Sequence, residues 1–399
     1  MKKCIALLLC VILITSSCIP VSNAPTESQT PETDAELTAA LEDNIIPFSP
    51  NNPEALDAID FDDYSVYLLG EYSHVAANSG IQLAFIKYLR KNQGVRHVLF
   101  QGSYAESLAL NAFLDSGSAE LLDEFIKTQN IPTREQYDFF IDLYDYNQSL
   151  PENERVTLVG IGVALDNLYS IATMRGFMGR SAEMPPPVAQ VYETIGFGFY
   201  NLVQEERERV ITDALAEIEA NGDAFREYFG ADYNDFYFGF RSLMQSYTGV
   251  NTGATGSSYD VGARMNIMSD NFRDMYAALD IGKCFGTFTA GLVLLDSGTS
   301  EELSLAERLN TQYEPTANRV LSFVSVYHNS FLLRSAGGAG TSVFGNIFGD
   351  GLAAAMAEAT EETAAIFKTA GIPHDDRTIS DSAQYMILVK HSLASTQYK

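Results

Sequence analysis

Basic residues are scarce in this sequence. Its 399 residues include 25 lysines and arginines against 52 aspartates and glutamates, which gives a formal net charge of -27 at pH 7. Proteins that bind nucleic acids neutralise phosphates with clustered lysine and arginine side chains. The charge balance therefore excludes a nucleic-acid-binding protein. It also disfavours electrostatic docking on an anionic membrane surface.

Tryptophan and cysteine are rare as well. The chain has no tryptophan and four cysteines, three of which fall within the first 18 residues. Cys284 is the only cysteine in the rest of the sequence. An intramolecular disulfide in the folded body and a cysteine-based zinc site are therefore excluded.

The first 18 residues have the features of an export signal. Lys2 and Lys3 precede an apolar run from Ile5 to Ile14, and small residues lead to Cys18. The run is shorter than the ~20 residues that span a bilayer, so it indicates a cleaved signal and not a membrane helix. The end of the segment resembles a bacterial lipobox, which implies cleavage after residue 17 and acylation of Cys18. Ordinary secretion, with Cys18 incidental, is the alternative.

The segment after Cys18 predicts a tether. Residues 19–42 are rich in Pro, Thr, Ser, Glu and Ala and poor in large apolar side chains. Such a composition buries too little surface to offset the entropy of ordering the chain. We therefore expect residues 1–17 to be a lipoprotein signal peptide and residues 18–58 to be a flexible tether. The protein is then expected at the bacterial cell surface or in the periplasm, held on the membrane by its lipid alone.

The remaining residues, 59–399, predict one α/β domain. Short β-rich runs alternate with longer segments of helical periodicity, which is typical of a mainly parallel sheet flanked by helices. Residues 185–279 keep a helical pattern and predict a large α-helical insertion. Its aromatic stretch from Phe225 to Phe240 predicts core packing, with the lining of an apolar ligand cleft as the alternative. The predicted strands are Tyr64 to Leu69, His97 to Gln101, Arg155 to Ile161, Cys284 to Thr289, Val320 to Tyr327 and Tyr385 to Val389.

A candidate catalytic pair follows the first predicted strand. Glu71 and His74 come directly after the apolar run that ends at Leu69. Catalytic groups of α/β proteins collect at the carboxyl ends of strands. A glutamate three residues from a histidine suits an orienting carboxylate and its general base. A purely structural pair at the strand end is the alternative.

Several segments together resemble the bacterial erythromycin-esterase-like proteins. The resemblance covers most of residues 60–395, and no single segment carries it alone. The segments are, in chain order, Leu68 to His74, Lys87 to Leu89, Val98 to Tyr104, Tyr146 to Asn147 with Pro151, Leu158 to Gly162, Arg264 with Met268 and Asn271 to Phe272, Phe285 to Phe288, and Asp381 to Leu388.

The resemblance implies a parallel-sheet fold with a cleft in which a histidine activates water to hydrolyse an ester or a lactone, without a metal or another cofactor. On this basis Glu71 is the carboxylate, His74 the base, and Arg264 an arginine that borders the cleft and stabilises negative charge. The alternative for Arg264 is pairing with a buried acid such as Asp270. Gln101 is expected to bind substrate, because its amide can orient a water or a carbonyl. The expected partner is a small-molecule ligand or substrate.

Three positions depart from the resemblance. Gln101 stands where a second acid is expected, Gly162 where an aspartate is common, and Leu292 at the position that best matches a second histidine. Gln101 cannot accept a proton, and each missing acid or base costs ~10²- to 10⁴-fold in rate. Two functions therefore stay open. One is a hydrolase with weakened or lost activity, and the other is a non-catalytic lipoprotein that binds a small ligand in the same cleft.

The remaining histidines supply further alternatives. His328 follows a predicted strand and is an alternative source of the missing imidazole. Glu71 and His74, joined by either His328 or His374, are an alternative metal site, because imidazole and carboxylate ligands suit several divalent ions. The spacing of these residues gives the metal site no support, so no metal is predicted.

Overall fold

The computed structural model describes residues 31–164, 167–179, 183–248, 261–297, 303–335, 337–343, 345–374 and 377–398. Its helices are α1 (Pro31–Asp43), α2 (Ala77–Gln93), α3 (Tyr104–Ser116), α4 (Ala119–Thr128), α5 (Arg134–Gln148), α6 (Asn167–Met178), α7 (Pro186–Thr194), α8 (Gln204–Ala220), α9 (Gly222–Phe229), α10 (Tyr233–Thr248), α11 (Val261–Ala278), α12 (Leu305–Thr311) and α13 (Asp350–Glu358). Its strands are β1 (Ile45–Pro47), β2 (Val66–Glu71), β3 (His97–Phe100), β4 (Thr157–Gly160), β5 (Cys284–Thr289), β6 (Val320–His328), β7 (Phe331–Leu333), β8 (Gly340–Ser342), β9 (Ala364–Lys368), β10 (Pro373–His374), β11 (Arg377–Thr378) and β12 (Tyr385–Lys390). No helix in these ranges is both long and apolar enough to cross a membrane.

The main sheet is largely parallel, as predicted. Within the described residues it has eight strands in the order β1-β9-β12-β6-β2-β5-β3-β4. Neighbours from β12 to β4 are parallel, whereas β9 runs antiparallel to both β12 and β1. All six predicted strands are present. Strand β2 lies near the middle of the sheet, so its carboxyl end is flanked by the ends of β5 and β6.

Apolar side chains cover both faces of the sheet. Consecutive residues of β2 alternate between two clusters, with Tyr67 and Leu69 in one and Val66 and Leu68 in the other. All four side chains are fully buried. A strand that is buried on both faces has a continuous apolar sequence, which explains why the sequence marks β2 so clearly.

The segment between β4 and β5 is helical, as predicted. It contains α6 to α11, so the helical region begins at Asn167 and not at residue 185. Phe225, Phe236 and Phe240 are fully buried inside a third apolar cluster. The rings of Phe229 and Phe236 stack with their centroids 4.1 Å apart. These buried rings form a core, whereas Tyr233, Tyr237 and Phe238 of the same stretch line a separate, open pocket.

The structure corrects the predicted tether over residues 41–58. Leu41, Phe48 and Leu56 are buried in the core. Strand β1 pairs with β9, with Ile46 opposite Ile366. A strand of three residues is too short to show the alternation that identifies strands in a sequence. The predicted signal peptide of residues 1–17 and the acylation site Cys18 lie outside the described residues.

Candidate functional site

A cavity of about 400 Å³ lies at the carboxyl edge of the sheet, where β2, β3 and β5 end. All four residues predicted for the site, Glu71, His74, Gln101 and Arg264, line this cavity. Ligands of α/β proteins bind outside the carboxyl ends of the strands, in cavities of ~300 to 1,000 Å³. The structure thus brings the four residues together in one place suited to a small ligand.

Gly70 allows the end of β2 to pack against the turn that follows β5. A Cβ atom at residue 70 would lie 2.4 Å from Cγ2 of Val293 and 2.9 Å from Cα of Ala290. Any other residue would push this turn away from the strand. Glu71 follows directly, ends β2 and lines the cavity. The glycine therefore fixes the position from which the carboxylate enters the site.

Burial controls the charge of Glu71. It raises the pKa of the carboxyl from its ordinary value of 4.5 to about 7, although hydrogen bonds from Gln82 and Asn78 oppose the rise. Nε2 of Gln82 donates to Oε2 of Glu71 over 2.9 Å. Carboxyl groups whose pKa is raised this far are common in active sites, where they exchange protons near neutral pH.

A buried hydrogen-bond network supports the residues beside Glu71. Nδ2 of Asn78 donates to the carbonyl of Tyr72 over 2.7 Å, and the hydroxyl of Tyr327 donates to Oδ1 of Asn78 over 2.9 Å. The same hydroxyl accepts from the backbone N–H of Tyr72 over 3.2 Å. Burial, with the charge of Glu71 as a second cause, raises the pKa of Tyr327, which keeps its hydroxyl protonated. The network joins β2, α2 and β6 around the site.

His74 has an unusual backbone conformation. Its φ is 65°, in the left-handed region that costs a residue other than glycine ~1 to 2 kcal/mol. Its carbonyl accepts two backbone hydrogen bonds, one from Leu333 over 3.2 Å and one from Ser395 over 3.0 Å. Burial lowers the pKa of the imidazole, so the ring is neutral at pH 7 and can accept a proton.

The C-terminal strap, residues 391–398, holds the loop that carries His74. Besides the bond from Ser395, the carbonyl of Leu393 accepts from the backbone of Ala76 over 3.0 Å. At its other end, the strap contacts the start of α5, where the carbonyl of Thr396 accepts from the backbone of Arg134 over 2.7 Å. Ser395 itself lines the cavity. The strap therefore closes one wall of the site and positions His74.

Glu71 and His74 share the cavity but do not bind each other. Within the described residues, no hydrogen bond joins the carboxylate to the imidazole, and Glu71 is held by Gln82. The structure therefore lacks the direct contact through which Glu71 was expected to orient the imidazole of His74. The arrangement instead provides a carboxyl whose pKa burial raises to about 7 and an imidazole whose pKa burial lowers.

The backbone around Gln101 explains Gly162. A Cβ atom at residue 162 would lie 2.0 Å from the carbonyl oxygen of Gln101, and the N–H of Gly162 donates to the carbonyl of Gly102 over 2.8 Å. The aspartate expected at this position from the resemblance has no room here. Gln101 itself lines the cavity through the loop after β3.

Arg264 lies near the start of α11 and supplies a cation to the cavity. Asp270, the alternative partner considered for Arg264, forms its ion pair with Arg273 one turn along the same helix. The structure therefore places Arg264 at the border of the cavity, as the resemblance implied.

Leu292 lies away from the cavity. It packs against the apolar cluster on one face of the sheet and is not among the residues that line the site. The side chains that reach the cavity from β5 are Thr287 and Thr289. The side chain of Leu292, read from the sequence as the position of the second histidine, is half-buried against this cluster and does not face the cavity. An imidazole acting from β5 would stand at residue 287 or 289.

His328 does not join the site. His328 is absent from the cavity lining, and its Nε2 lies 2.8 Å from Nδ2 of Asn329. The side chain of His374 falls outside the described residues. In the part of the chain that the structure describes, no cluster of three His, Cys, Asp or Glu residues could hold a metal ion.

Several functional residues were not found from the sequence. Gln82 and Asn78 lie one helical turn apart on α2, and this spacing of four residues behind a strand end is a signal that could have identified them. The strap could not be found, because its contacts with His74, Ala76 and Arg134 each join residues more than 250 positions apart in the sequence. The neutral wall of the cavity could not be found from the sequence either. The connection between α4 and α5, together with α5, contributes this wall, which includes Asn130 and Gln136.

Solved structures share this architecture, although the sequence matches no family model and no curated protein. A variant of the erythromycin esterase EreC in its open conformation has a TM-score of 0.62 at 14% identity, covering 91% of this chain and 97% of the other. The chain has the erythromycin esterase fold. A Bacillus cereus protein has a TM-score of 0.67 at 13% identity, with 92% and 99% of the two chains covered. A succinoglycan biosynthesis protein gives 0.67 at 14% identity, with 92% and 100% covered. The predicted resemblance is thus confirmed at the level of the fold.

Proposed function

We propose that this protein hydrolyses an ester or a lactone in the cavity at the carboxyl edge of the sheet. The observation that carries the proposal is the meeting of Glu71, His74 and Arg264 in one cavity, with the pKa of Glu71 raised to about 7 and that of His74 lowered. A base, a carboxylate and a cation around one small space suit hydrolysis by general-base activation of water.

Each residue has a role in this proposal. The neutral imidazole of His74 takes a proton from the attacking water, and the imidazolium returns this proton to the leaving alcohol oxygen as the C–O bond of the ester breaks. The negative charge of ionised Glu71 stabilises the imidazolium that forms in the same cavity. Arg264 stabilises the oxyanion that develops on the carbonyl oxygen of the substrate. Gln101 orients the substrate carbonyl or the water through its amide.

The second candidate is a non-catalytic protein that binds a small ligand in this cavity. Gln101 at the end of β3, Gly162 after β4 and the threonines of β5 favour it, because none of these positions supplies an acid or an imidazole. In this candidate, Glu71 and His74 only shape the charge of the site.

Hydrolysis of a macrolide lactone and of simple esters by the purified protein separates the two candidates. His74→Ala is the test variant, and His328→Ala is the matched control because His328 does not line the cavity. Turnover that persists in chelator and in the control but falls ~10²- to 10⁴-fold in His74→Ala supports the hydrolase. Turnover no higher than that of His74→Ala overturns it.

We also propose that a lipid on Cys18 anchors the protein to the outside of a bacterial membrane. The basic and apolar start of the sequence and the small residues before Cys18 support this. Expression of the full chain with a labelled fatty acid tests it. Incorporation that is lost in Cys18→Ser supports the anchor, and equal incorporation in both contradicts it.

A further inference from the structure

The wall of the cavity away from Glu71, His74 and Arg264 is neutral and polar. Beyond these three groups, the polar side chains that line it are amides and hydroxyls. They come from the connection between β2 and α2, from α2, the loop after β3, the connection between α4 and α5, α5, β5 and the strap. They are Ser73, Asn78, Ser79, Gln82, Gln101, Gln129, Asn130, Thr133, Gln136, Thr287, Thr289 and Ser395.

Three of these amides are available to a ligand. Gln82 donates to Glu71, and Gln129 donates to Oγ1 of Thr128 over 3.3 Å. In contrast, across the described ranges the side chains of Gln101, Asn130 and Gln136 have no hydrogen-bond partner within the protein, although all three line the cavity. Each amide offers two N–H donors and a carbonyl acceptor. These groups can therefore both give and accept hydrogen bonds along one side of the site.

Aromatic rings lie beside the free amides. Phe100, Phe139 and Phe140 line the same cavity. The rings of Phe139 and Phe140 meet edge to face with their centroids 5.2 Å apart, and Phe139 is half-buried. A surface of this kind removes an apolar C–H face from water while neighbouring amides bind the polar edge of the same molecule.

This composition disfavours two ligand classes. A multiply charged anion is disfavoured because, among the described residues, Arg264 is the one cation that lines the cavity. The net charge of the whole chain, -27, repels such an anion as well. An apolar ligand would displace water from three amides without replacing their hydrogen bonds, and each unpaired group costs ~1 to 3 kcal/mol. A neutral molecule that alternates hydroxyl groups with C–H faces satisfies both the amides and the rings.

We propose that the natural substrate is an ester of a sugar or a similar polyol. The hydroxylated ring lies along Asn130 and Gln136 with a C–H face on the phenylalanines, and the acyl ester lies at Glu71, His74 and Gln101. The position of the ester in this inference rests on the proposed hydrolase. The binding of the ring hydroxyls by the amides does not depend on catalysis.

Two matched esters test the substrate class. The acetate of methyl glucoside at its primary hydroxyl and cyclohexylmethyl acetate both carry an acetyl group on a primary alcohol next to a six-membered ring, and only the first carries ring hydroxyls. We expect kcat/KM to be at least about tenfold higher for the glucoside ester, as ~1.4 kcal/mol of added hydrogen bonding gives. Binding of methyl glucoside and of cyclohexylmethanol, followed by nuclear magnetic resonance titration, measures recognition without any reaction.

Variants of the neutral wall connect the preference to named residues. Gln136→Leu and Asn130→Ala are each expected to lower the affinity for methyl glucoside about fivefold, the loss of one net hydrogen bond. Asn130 is exposed and lies between α4 and α5, so its substitution should not disturb folding. Asn130→Ala therefore keeps the test valid if Gln136→Leu fails to fold. Gln190→Leu, on the exposed side of α7 outside the cavity, should leave both affinities unchanged.

The outcomes distinguish the substrate class from the proposed hydrolase. Binding of methyl glucoside that depends on Gln136 or Asn130, without hydrolysis of its acetate, supports the ligand class and overturns the hydrolase. Equal or faster hydrolysis of cyclohexylmethyl acetate overturns the ligand class and leaves the hydrolase standing. Equal binding of methyl glucoside and cyclohexylmethanol, or binding that neither variant weakens, overturns the ligand class as well.

Discussion

Replacing Glu71 by glutamine should stabilise the protein above neutral pH. Burial raises the pKa of Glu71 from 4.5 to about 7, so the folded protein binds this proton more tightly than the unfolded chain does. The free energy of unfolding that this group contributes is fully present below pH 4.5 and is lost as the pH rises through 7. The complete loss is about 3 kcal/mol, at ~1.4 kcal/mol for each tenfold change in proton affinity.

Glu71→Gln removes this pH dependence and keeps the shape of the side chain. Its carbonyl oxygen can still accept from Nε2 of Gln82. We therefore expect the variant to exceed the wild type by up to about 3 kcal/mol at about pH 8, with a much smaller difference at about pH 4.5. Urea unfolding followed by circular dichroism at several pH values measures both curves.

The matched control is Glu205→Gln, because Glu205 is exposed on α8 and far from the cavity. Its unfolding curve should follow that of the wild type within ~0.5 kcal/mol at every pH, as surface substitutions usually do. A Glu71→Gln difference that does not change between about pH 5 and about pH 8 would refute the reasoning, since it would mean that the carboxyl titrates alike in the folded and unfolded chains.

Three further substitutions test the packing and the hydrogen bonds around the site. Gly162→Asp should lower the free energy of unfolding by ~1 to 3 kcal/mol, because its Cβ would lie 2.0 Å from the carbonyl oxygen of Gln101. Urea unfolding measures this, and an unchanged free energy of unfolding would contradict the close contact. Tyr327→Phe should cost ~1 to 3 kcal/mol by the same measurement, since Asn78 loses its buried donor; an unchanged midpoint would show that the network contributes nothing. Deleting residues 392–399 should leave the far-ultraviolet dichroism nearly unchanged and abolish hydrolysis, because the carbonyl of His74 loses the bond from Ser395; full activity would contradict the role of the strap.

The interior strands could be predicted from the sequence for a physical reason. Strands such as β2 and β6 are buried on both faces and are written as continuous apolar runs between turns. Strand β1 lies at the edge of the sheet and has only three residues, and its pairing joins residues 45–47 to residues 365–367 of β9. A local sequence pattern does not show a contact between segments so far apart. The predicted domain therefore began at residue 59, after β1.

The sequence predicts which side chains meet in the cavity where a residue type and a strand end coincide. Glu71 and His74 follow an apolar run directly, and the parallel sheet collects such ends at one edge. Leu292 does not face the cavity, because a single turn after β5 decides which side chains do. The pKa values of Glu71 and His74 arise from burial by distant segments, which a sequence does not display.

The central claim is that Glu71 and His74 act together to activate water. The pH dependence of kcat/KM for a simple ester, measured from about pH 5 to about pH 9, tests it most directly. The account predicts a rate that rises with the ionisation of Glu71, with an apparent pKa of about 7. Glu71→Gln should lack this rise, and His74→Ala should lose nearly all activity. A wild-type profile without a step near pH 7, or one that Glu71→Gln retains, would contradict the account.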